Sequence, residues 1–302
     1  MGYLVENPEC EHLAVRRLES LFMLLDDMFE SLRLNPDYCW FLLEVDMGDL
    51  LPSFRGDVDI LIGQLRAADP TAFKRAYEKW KGKCSPSAHP SQVYRIAAID
   101  VAENGGIMWP PQTDYLVAIE VKCSFLSPGA NEISQATIRS KKSSEKKIKK
   151  IRGQVNRLLD MGFDKVALLD FIANPPASGD DGQAWVRAGG IAAASESAMS
   201  SVFRGRLSEE SAAGHWSCSV GAVAGGDERM RGAGGTVTYR EPQDNKVIPG
   251  SARHTRRQEM ERNLSAILRG LPVPRDLPVL FINCKVCRKI HRCYTENECD
   301  GT

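Results

Sequence analysis

Two stretches of this chain combine apolar runs with charged residues, and the fold prediction starts from them. They are Phe54-Arg-Gly-Asp-Val-Asp-Ile-Leu-Ile62 and Tyr115-Leu-Val-Ala-Ile-Glu-Val-Lys-Cys123. Aliphatic and β-branched residues fill most positions of both, and Gly or Pro lies nearby, a pattern that predicts two strands. A buried strand does not tolerate an ionised carboxylate unless a cation or a hydrogen-bond donor contacts it. The acidic residues Asp57, Asp59 and Glu120 are therefore candidates for function.

The spacing of the charges on these strands predicts a shared face. Residues two positions apart on a strand point to the same side of the sheet. Asp57 and Asp59 have this spacing, and so do Glu120 and Lys122. Two acidic strands and one lysine on one sheet face would bind a divalent cation through oxygen ligands. The lysine would then orient or activate a water beside a scissile phosphate, which is metal-assisted hydrolysis.

At these residues the sequence resembles the PD-(D/E)xK nuclease superfamily. Gly56-Asp-Val-Asp-Ile-Leu61 is similar to the Gly-x-(Ile/Val)-Asp strand of its RecB-type members, and Glu120-Val-Lys122 is similar to their Glu-x-Lys strand. Gln154 lies on a predicted helix where those members carry a Gln-x-x-x-Tyr motif. Leu158 stands in the Tyr position, so half of that motif is present. The resemblance covers residues 9 to 176.

The resemblance implies an α/β, restriction-endonuclease-like fold with a mixed sheet flanked by helices. It implies a Mg²⁺- or Mn²⁺-dependent deoxyribonuclease that hydrolyses phosphodiester bonds of DNA, in a restriction, repair or phage-defence setting. Asp59 and Glu120 would hold the cation, with the Val121 carbonyl nearby, and Lys122 would position the attacking water or stabilise charge. Gln154 would order the site or contact a phosphate. The alternative is a catalytically inactive nucleic-acid-binding protein that uses its basic helix and a zinc-binding tail.

The hydrophobic fraction, the charge balance and the number of cysteines limit the classes of protein to which this chain can belong. Of the 302 residues 43% are hydrophobic, which is enough for a sizeable core. Lys plus Arg equals Asp plus Glu at 39 each, so the net charge does not indicate a nucleic-acid binder. The sequence has no apolar run of about 18 residues and no secretory signal, so we expect a cytoplasmic protein without a membrane partner. Its nine cysteines are then expected to be reduced thiols, some of them metal ligands.

The order of predicted elements divides the chain into three parts. Residues 1–176 form the nuclease-like core with an insertion at 65–113, residues 177–250 form a Gly-, Ala- and Ser-rich insertion lobe, and residues 251–302 form a helix and a cysteine-rich tail. The predicted helices are 9–34, 72–80, 184–213 and 255–268. Beside the two opening stretches, the predicted strands are 38–45, 93–101, 165–173 and 278–283, with a hairpin or loop at 215–240.

The first predicted helix carries an acid on its apolar stripe. Superfamily members often use such an acid to help hold the metal, and Glu11 is the candidate here. The same residue also suits the first turn of a helix, because the helix dipole favours negative charge there.

A basic run leads from the Glu-x-Lys strand into the Gln154 helix. Such a run is commonly a solvated helix start. Its position favours a second interpretation, in which it borders the active cleft and neutralises phosphates. The residues assigned to this nucleic-acid contact are Lys146, Lys147, Lys149, Lys150 and Arg152.

The C-terminal tail has the spacing of a metal site. Cys284-x2-Cys287 after a strand can place two thiolates on one metal, and His291, Cys293 and Cys299 can complete a tetrahedral set, which favours structural Zn²⁺. An iron–sulfur cluster is the alternative, because Cys284, Cys287 and Cys293 are similar to the C-terminal cysteines of some RecB-type nucleases. That cluster would need Cys39 or Cys10 as well. The sequence leaves the oligomeric state open, a dimer included.

Overall fold

The structure, a computed structural model, describes part of the chain. The described residues are 2–6, 31–32, 34, 39–64, 70–86, 93, 96–97, 100–101, 115–126, 136–138, 141–173, 203, 205–220, 233–269, 279–283 and 290–292. The strands within these ranges are β1 (Gly2–Glu6), β2 (Cys39–Asp46), β3 (Asp57–Gln64), β4 (Leu116–Leu126), β5 (Ala136–Ile138), β6 (Lys165–Ala173), β7 (Gly214–Val220), β8 (Ala233–Arg240), β9 (Val279–Asn283) and β10 (Ile290–Arg292). The helices within them are α1 (Met47–Leu50), α2 (Pro70–Lys81), α3 (Lys141–Met161) and α4 (Ala252–Arg269).

The chain forms two compact units, each built from several segments. The unit that contains most of α3, called the α3 unit, consists of Met1–Ser31, Ile119–Asp160 and Lys165–Lys246. The unit that contains α4, called the α4 unit, consists of Leu32–Ala118, Met161–Asp164 and Val247–Thr302. Strand β4 begins in the α4 unit and continues in the α3 unit.

The α4 unit holds the strands in the order β10-β9-β2-β3, followed by the start of β4. Strand β2 runs antiparallel to β3 and parallel to β9, and β9 runs antiparallel to β10, so this five-stranded sheet is mixed. Every residue of β2 except its last, Asp46, is buried, as expected for an apolar run in the interior of a sheet. Asp46 caps α1 by accepting a hydrogen bond from the Gly48 amide at 2.6 Å.

Helix α4 packs one face into the same unit. Its buried residues are Arg257, Met260, Leu264 and Leu268, whose helical spacing puts them on one stripe. The helix begins after Ser251, whose hydroxyl accepts a hydrogen bond from the His254 amide at 3.1 Å.

In the α3 unit, the remainder of β4 is followed by β6, β7 and β8. Strands β6 and β7 are parallel, β7 and β8 form an antiparallel pair, and β1 pairs antiparallel with β4. Both units therefore combine parallel and antiparallel strands with helices. The predicted α/β class and mixed sheet are confirmed, while the nuclease fold, the insertion lobe and the zinc tail stay predictions. No helix in the described ranges is long and apolar enough to cross a membrane.

Most predicted elements that fall on described residues are confirmed to within a few residues. Strands β2, β4, β6 and β9 and helices α2 and α4 lie where the hydrophobic pattern places them, and β7 and β8 form the predicted hairpin. The described part of the predicted helix 184–213 is helical at Phe203 but consists of turns and irregular backbone over 205–213. Of the predicted first helix, only Ser31, Leu32 and Leu34 are described, and the first two are helical.

The predicted strand 93–101 is wrong, because its described residues are helical. Val93, Ala97 and Val101 are buried at intervals of four residues, which is the spacing of one helix face. Ala97 and Val101 pack with Ala76 of α2. The β-branched content of the segment pointed to a strand, and packing of the helical face against α2 overrides that local preference.

A glycine fixes the close approach of β2 and β3. Gly63 lies opposite Trp40 in the ladder, and a methyl group at its Cα would clash with the indole ring. The ring is fully buried, so it cannot move into solvent to make room. The α4 unit thus depends on the absence of a side chain at this position.

We expect Gly63→Ala to lower the free energy of unfolding by about 1–3 kcal/mol, because an added methyl overpacks the core. Urea denaturation checks this expectation. Gly153→Ala is the matched control: nothing lies within 4 Å of its added methyl, and this replacement in α3 should raise stability by about 0.5–1 kcal/mol. Equal stability of Gly63→Ala and the parent protein would contradict the packing.

Candidate active site

Strand β4 carries a buried ion pair. Leu116 to Val121 are all buried, and Glu120 is 1% exposed. The Lys122 ammonium lies 2.8 Å from Glu120 Oε1 and donates a hydrogen bond to the Val121 carbonyl oxygen, also at 2.8 Å. The two side chains therefore lie on the same side of the strand, as their spacing predicts. The buried carboxylate is contacted by a cation of its own strand.

The pair is sensitive to the loss of either partner. The Lys122–Glu120 contact is a buried ion pair, and the hydrogen bond of the ammonium goes to the Val121 carbonyl oxygen. Removing one partner of a buried pair typically costs about 3–5 kcal/mol, because a desolvated charge stays behind. We therefore expect replacement of either Glu120 or Lys122 alone to destabilise the protein.

Asp57 and Asp59 lie on β3, in the α4 unit. Both are half-buried, and they alternate with Val58 and Ile60, which are fully buried. The predicted strand Phe54–Ile62 begins at Asp57 in the structure, because the residues before it form the turn that follows α1. Asp59 therefore belongs to the α4 unit, whereas Glu120, Lys122 and Gln154 belong to the α3 unit.

The strand beside Asp59 carries further acids that sequence reasoning missed. Asp46 is paired with Asp57, and Glu44 lies between Leu43 and Val45, whose partners Ile60 and Val58 flank Asp59. Glu44 is 3% exposed and has a φ of 55°, a conformation that a residue other than glycine seldom adopts. Such backbone strain often marks functional sites. Acids at alternate positions in Leu43-Glu-Val-Asp46 are the same signal that identified Asp57 and Asp59.

The donor atoms around Lys122 suit a hard cation. Glu120 Oε1 and the Val121 carbonyl oxygen already contact a positively charged group, and Mg²⁺ and Ca²⁺ prefer oxygen ligands of these kinds. No three side chains of the His, Cys, Asp or Glu type come close enough to hold a metal ion in the part of the chain that the structure describes. Water would have to supply further ligands in any site built on Glu120.

Gln154 lies on the packed face of α3 with Ile151, Val155 and Leu158, all three of which are buried. Its side-chain carbonyl oxygen is buried and has no hydrogen-bond partner among the described residues. A buried acceptor left in this state costs about 1–3 kcal/mol, so native proteins seldom keep one without a reason. Leu158, in the position of the motif Tyr, packs fully into the core.

The basic residues of α3 fall into two groups. Lys146, Lys147, Lys149 and Lys150 are exposed. The Arg152 guanidinium instead donates to the Gly205 carbonyl oxygen at 2.5 Å, with longer contacts of 3.4 Å to the carbonyl oxygens of Arg206 and Leu207. Arg152 therefore holds a loop of its own unit, whereas the side chains of the four lysines extend toward solvent.

A second buried ionic network in the α3 unit was missed by sequence reasoning. Asp170 on β6 is fully buried; its Oδ1 lies 3.0 Å from Arg206 Nη2, and its Oδ2 lies 2.7 Å from His215 Nε2. Phe203 meets the His215 ring edge-on, and the Arg206 guanidinium lies 5.3 Å from the Phe203 ring centre. The network ties the loop around Arg206 to the sheet. Its signal was an acid inside the apolar run Lys165–Ala173, the pattern that identified Glu120.

The cysteine tail lies mostly outside the described residues. Cys284, Cys287, Cys293 and Cys299 belong to that part, as do Cys10 and Glu11. His291 lies on β10 opposite Ile282 of β9, and the adjoining pair is Ile290 with Asn283. Residues 284–289, which hold the predicted pair of thiolates, thus connect two antiparallel strands.

Cys39, one of the two candidates for the additional ligand of the iron–sulfur alternative, is buried at the start of β2. Its neighbour Trp40 pairs with Val279, the first residue of β9. The iron–sulfur alternative stays a prediction, because Cys284 and Cys287 lie outside the described residues.

We expect Asp170→Asn to destabilise the protein by about 3–5 kcal/mol, because the change leaves the buried Arg206 guanidinium without its counter-charge. Chemical denaturation measures the loss. Glu209→Gln is the control, since it removes a carboxylate from an exposed position of the neighbouring turn and should change stability by less than about 0.5 kcal/mol. A loss at Asp170 no larger than at Glu209 would show that the network contributes nothing.

Comparisons with models of protein families, with curated proteins and with solved structures gave no match for this chain. Its function therefore has to be inferred from its own residues and contacts. The Glu120–Lys122 pair on β4, the acids of β3 and the buried amide oxygen of Gln154 are the features that bear on it.

Proposed function

We propose that this chain is a Mg²⁺- or Mn²⁺-dependent nuclease that hydrolyses phosphodiester bonds of DNA. The observation that carries the proposal is the ion pair of Glu120 and Lys122, buried on a strand and spaced as in the Glu-x-Lys motif. A purely structural pair of this kind needs no second acidic strand. Here Asp57 and Asp59 supply one, in the sequence context Gly-Asp-Val-Asp that the resemblance requires.

Each residue has a role in the proposed reaction. Glu120 would hold the cation with the Val121 carbonyl oxygen nearby, and Asp59 is the second carboxylate that the resemblance assigns to it. The bound cation would polarise the phosphoryl oxygens and lower the pKa of a coordinated water. The Lys122 ammonium positions the attacking water and stabilises the negative charge that develops on the phosphate. Gln154, whose amide oxygen has no described protein partner, accepts a hydrogen bond from a water or a ligand group at the site.

The exposed lysines of α3 supply the binding of the polyanion in this proposal. Lys146, Lys147, Lys149 and Lys150 fall within five consecutive positions and are all exposed. Contacts of this kind neutralise phosphates without reading bases, so they give affinity and little sequence preference. The proposed substrate is therefore engaged through its backbone.

We propose a structural metal site in the C-terminal tail, as its cysteine spacing predicts. A hairpin whose connection holds two cysteines three positions apart, with His291 on the returning strand, has the sequence order of a closed zinc site. We propose Zn²⁺ there, held by Cys284, Cys287 and Cys293 with either His291 or Cys299. Thiolate and imidazole ligands favour zinc over the harder cation assigned to Glu120.

A catalytically inactive nucleic-acid-binding protein is the second candidate. Leu158, buried in the position of the motif Tyr, favours it, because that departure removes a polar group from the predicted site. Under this alternative the lysines and the tail still bind nucleic acid, but Glu120 and Lys122 only stabilise the sheet. The two candidates differ in whether any strand is cleaved.

The experiment is a cleavage assay with Mg²⁺ or Mn²⁺ on single-stranded, duplex and nicked DNA and on RNA. We expect cleavage of DNA by the parent protein and a loss of at least about a thousandfold for Asp59→Asn and for Glu120→Gln, because each change removes a cation ligand. Lys122→Met should lose a similar factor. Circular dichroism identifies variants that remain folded. Full cleavage by folded Glu120→Gln protein would overturn the mechanism.

A second expectation concerns the lysines. Replacing Lys146, Lys147, Lys149 and Lys150 by Gln should weaken binding to all DNA sequences alike and reduce the salt dependence by about one unit of log–log slope for each lost phosphate contact. Fluorescence anisotropy over a salt series measures both effects. Lys74, Lys81 and Lys83, exposed near α2, provide the control set for Gln replacement. The same slope in the parent protein and the α3 variant would mean that the α3 lysines are simply solvated.

A further inference from the structure

The Lys122 ammonium lies where a cation would be expected in the proposed site. It lies 2.8 Å from Glu120 Oε1 and donates a hydrogen bond to the Val121 carbonyl oxygen, also at 2.8 Å. These are the oxygens of β4 that the proposed function assigns to, or places beside, the divalent cation. Both belong to the α3 unit, so the contact does not depend on the other unit.

A divalent cation and this ammonium exclude each other from the two oxygens. Mg²⁺ lies about 2.0–2.1 Å from its oxygen ligands and Ca²⁺ about 2.3–2.6 Å, so either ion would occupy the volume of the ammonium. Two positive charges this close repel strongly where water is excluded. Glu120 is 1% exposed and Lys122 is 8% exposed, so the lysine is the member of the pair with more contact to solvent.

We propose that Lys122 is a built-in competitor of the catalytic cation: its ammonium occupies the Glu120–Val121 position in the cation-free protein, and a divalent cation binds there by displacing it. This inference rests on the proposed function and adds a regulatory step to the same site. The ammonium replaces the missing cation and keeps the buried carboxylate neutralised. The cation-free protein is thereby spared an unpaired buried charge.

Because of this displacement, binding of the cation to Glu120 releases the Lys122 ammonium. While the ammonium contacts Glu120 and donates to the Val121 carbonyl oxygen, it is held at protein oxygens. When a cation takes over the carboxylate, the ammonium is released to contact the attacking water or the substrate. The lysine therefore takes up its proposed catalytic role only in the cation-loaded protein.

Competition predicts a change in Mn²⁺ affinity that neither alternative role of Lys122 predicts. If Lys122 competes, Lys122→Met should bind Mn²⁺ at least tenfold more tightly than the parent protein, because binding no longer breaks an ion pair. If Lys122 only positions water, the dissociation constant should not change. If the lysine holds Glu120 in its binding orientation, the variant should bind Mn²⁺ more weakly.

The experiment titrates Mn²⁺ into the purified full-length proteins, with calorimetry for the dissociation constant and electron paramagnetic resonance for the fraction of bound Mn²⁺. Glu120→Gln combined with Lys122→Met should abolish the tight site, which shows that the Mn²⁺ gained by the single variant lies at Glu120. Lys165→Met is the matched control: it removes another buried ammonium of the α3 unit, whose contacts are Ser31 and Asp244, and should leave the constant within twofold.

The proposal is supported if Lys122→Met binds Mn²⁺ more tightly than the parent protein and Lys165→Met does not. Unchanged or weaker Mn²⁺ binding by Lys122→Met overturns it. Should Lys122→Met fail to fold, Lys122→Gln takes its place, because its amide can donate to Glu120 without carrying charge; the same increase in affinity is expected. Tighter Mn²⁺ binding by the variant, together with a parent protein that cleaves no nucleic acid, would support the competition while overturning the proposed nuclease function.

Discussion

The structure depends on one constraint, that a carboxylate buried in a sheet must be neutralised by a cation. Glu120 is 1% exposed on a strand whose preceding residues, from Leu116 on, are all buried, and Lys122 neutralises it from two positions away. The same arrangement can be read as a structural pair or as the core of a cation site. The acids of β3 and the motif context favour the second interpretation. The competition we propose joins the two, because the lysine stabilises the empty site and gives way to the cation.

The same constraint recurs elsewhere in both units. Asp170 is contacted by Arg206 and His215 in the α3 unit. In the α4 unit the buried Arg257 contacts Asp164 at 2.9 Å and Glu261 at 2.6 Å, and donates to the Gly162 carbonyl oxygen at 2.8 Å. In each network the charged groups are paired with residues of the same unit, so the networks stabilise the two units. Glu120 differs because its partner Lys122 is of the residue type that the proposed reaction requires.

Sequence reasoning succeeded where local pattern and tertiary packing agree. Strand β6, over Lys165–Ala173, and the same-face relation of Glu120 and Lys122 follow from periodicity alone. The segment 93–101 was mispredicted, because contacts with α2 decide its conformation and a single sequence does not show them. Asp170 was overlooked because its partners, Arg206 and His215, lie more than thirty positions away in sequence and only the fold brings them close. The predicted domain division and the metal site of the tail stay predictions.

The proposal for the α3 unit is that a divalent cation binds the Glu120 carboxylate in place of the Lys122 ammonium. Anomalous diffraction from crystals of the protein grown with Mn²⁺ tests it most directly, because the signal locates the ion independently of any activity. We expect one Mn²⁺ bound to the Glu120 carboxylate, with Lys122 moved away from Glu120 Oε1 and the Val121 carbonyl oxygen. Crystals in which the Glu120–Lys122 contact persists at saturating Mn²⁺, with no ion at Glu120, would contradict it.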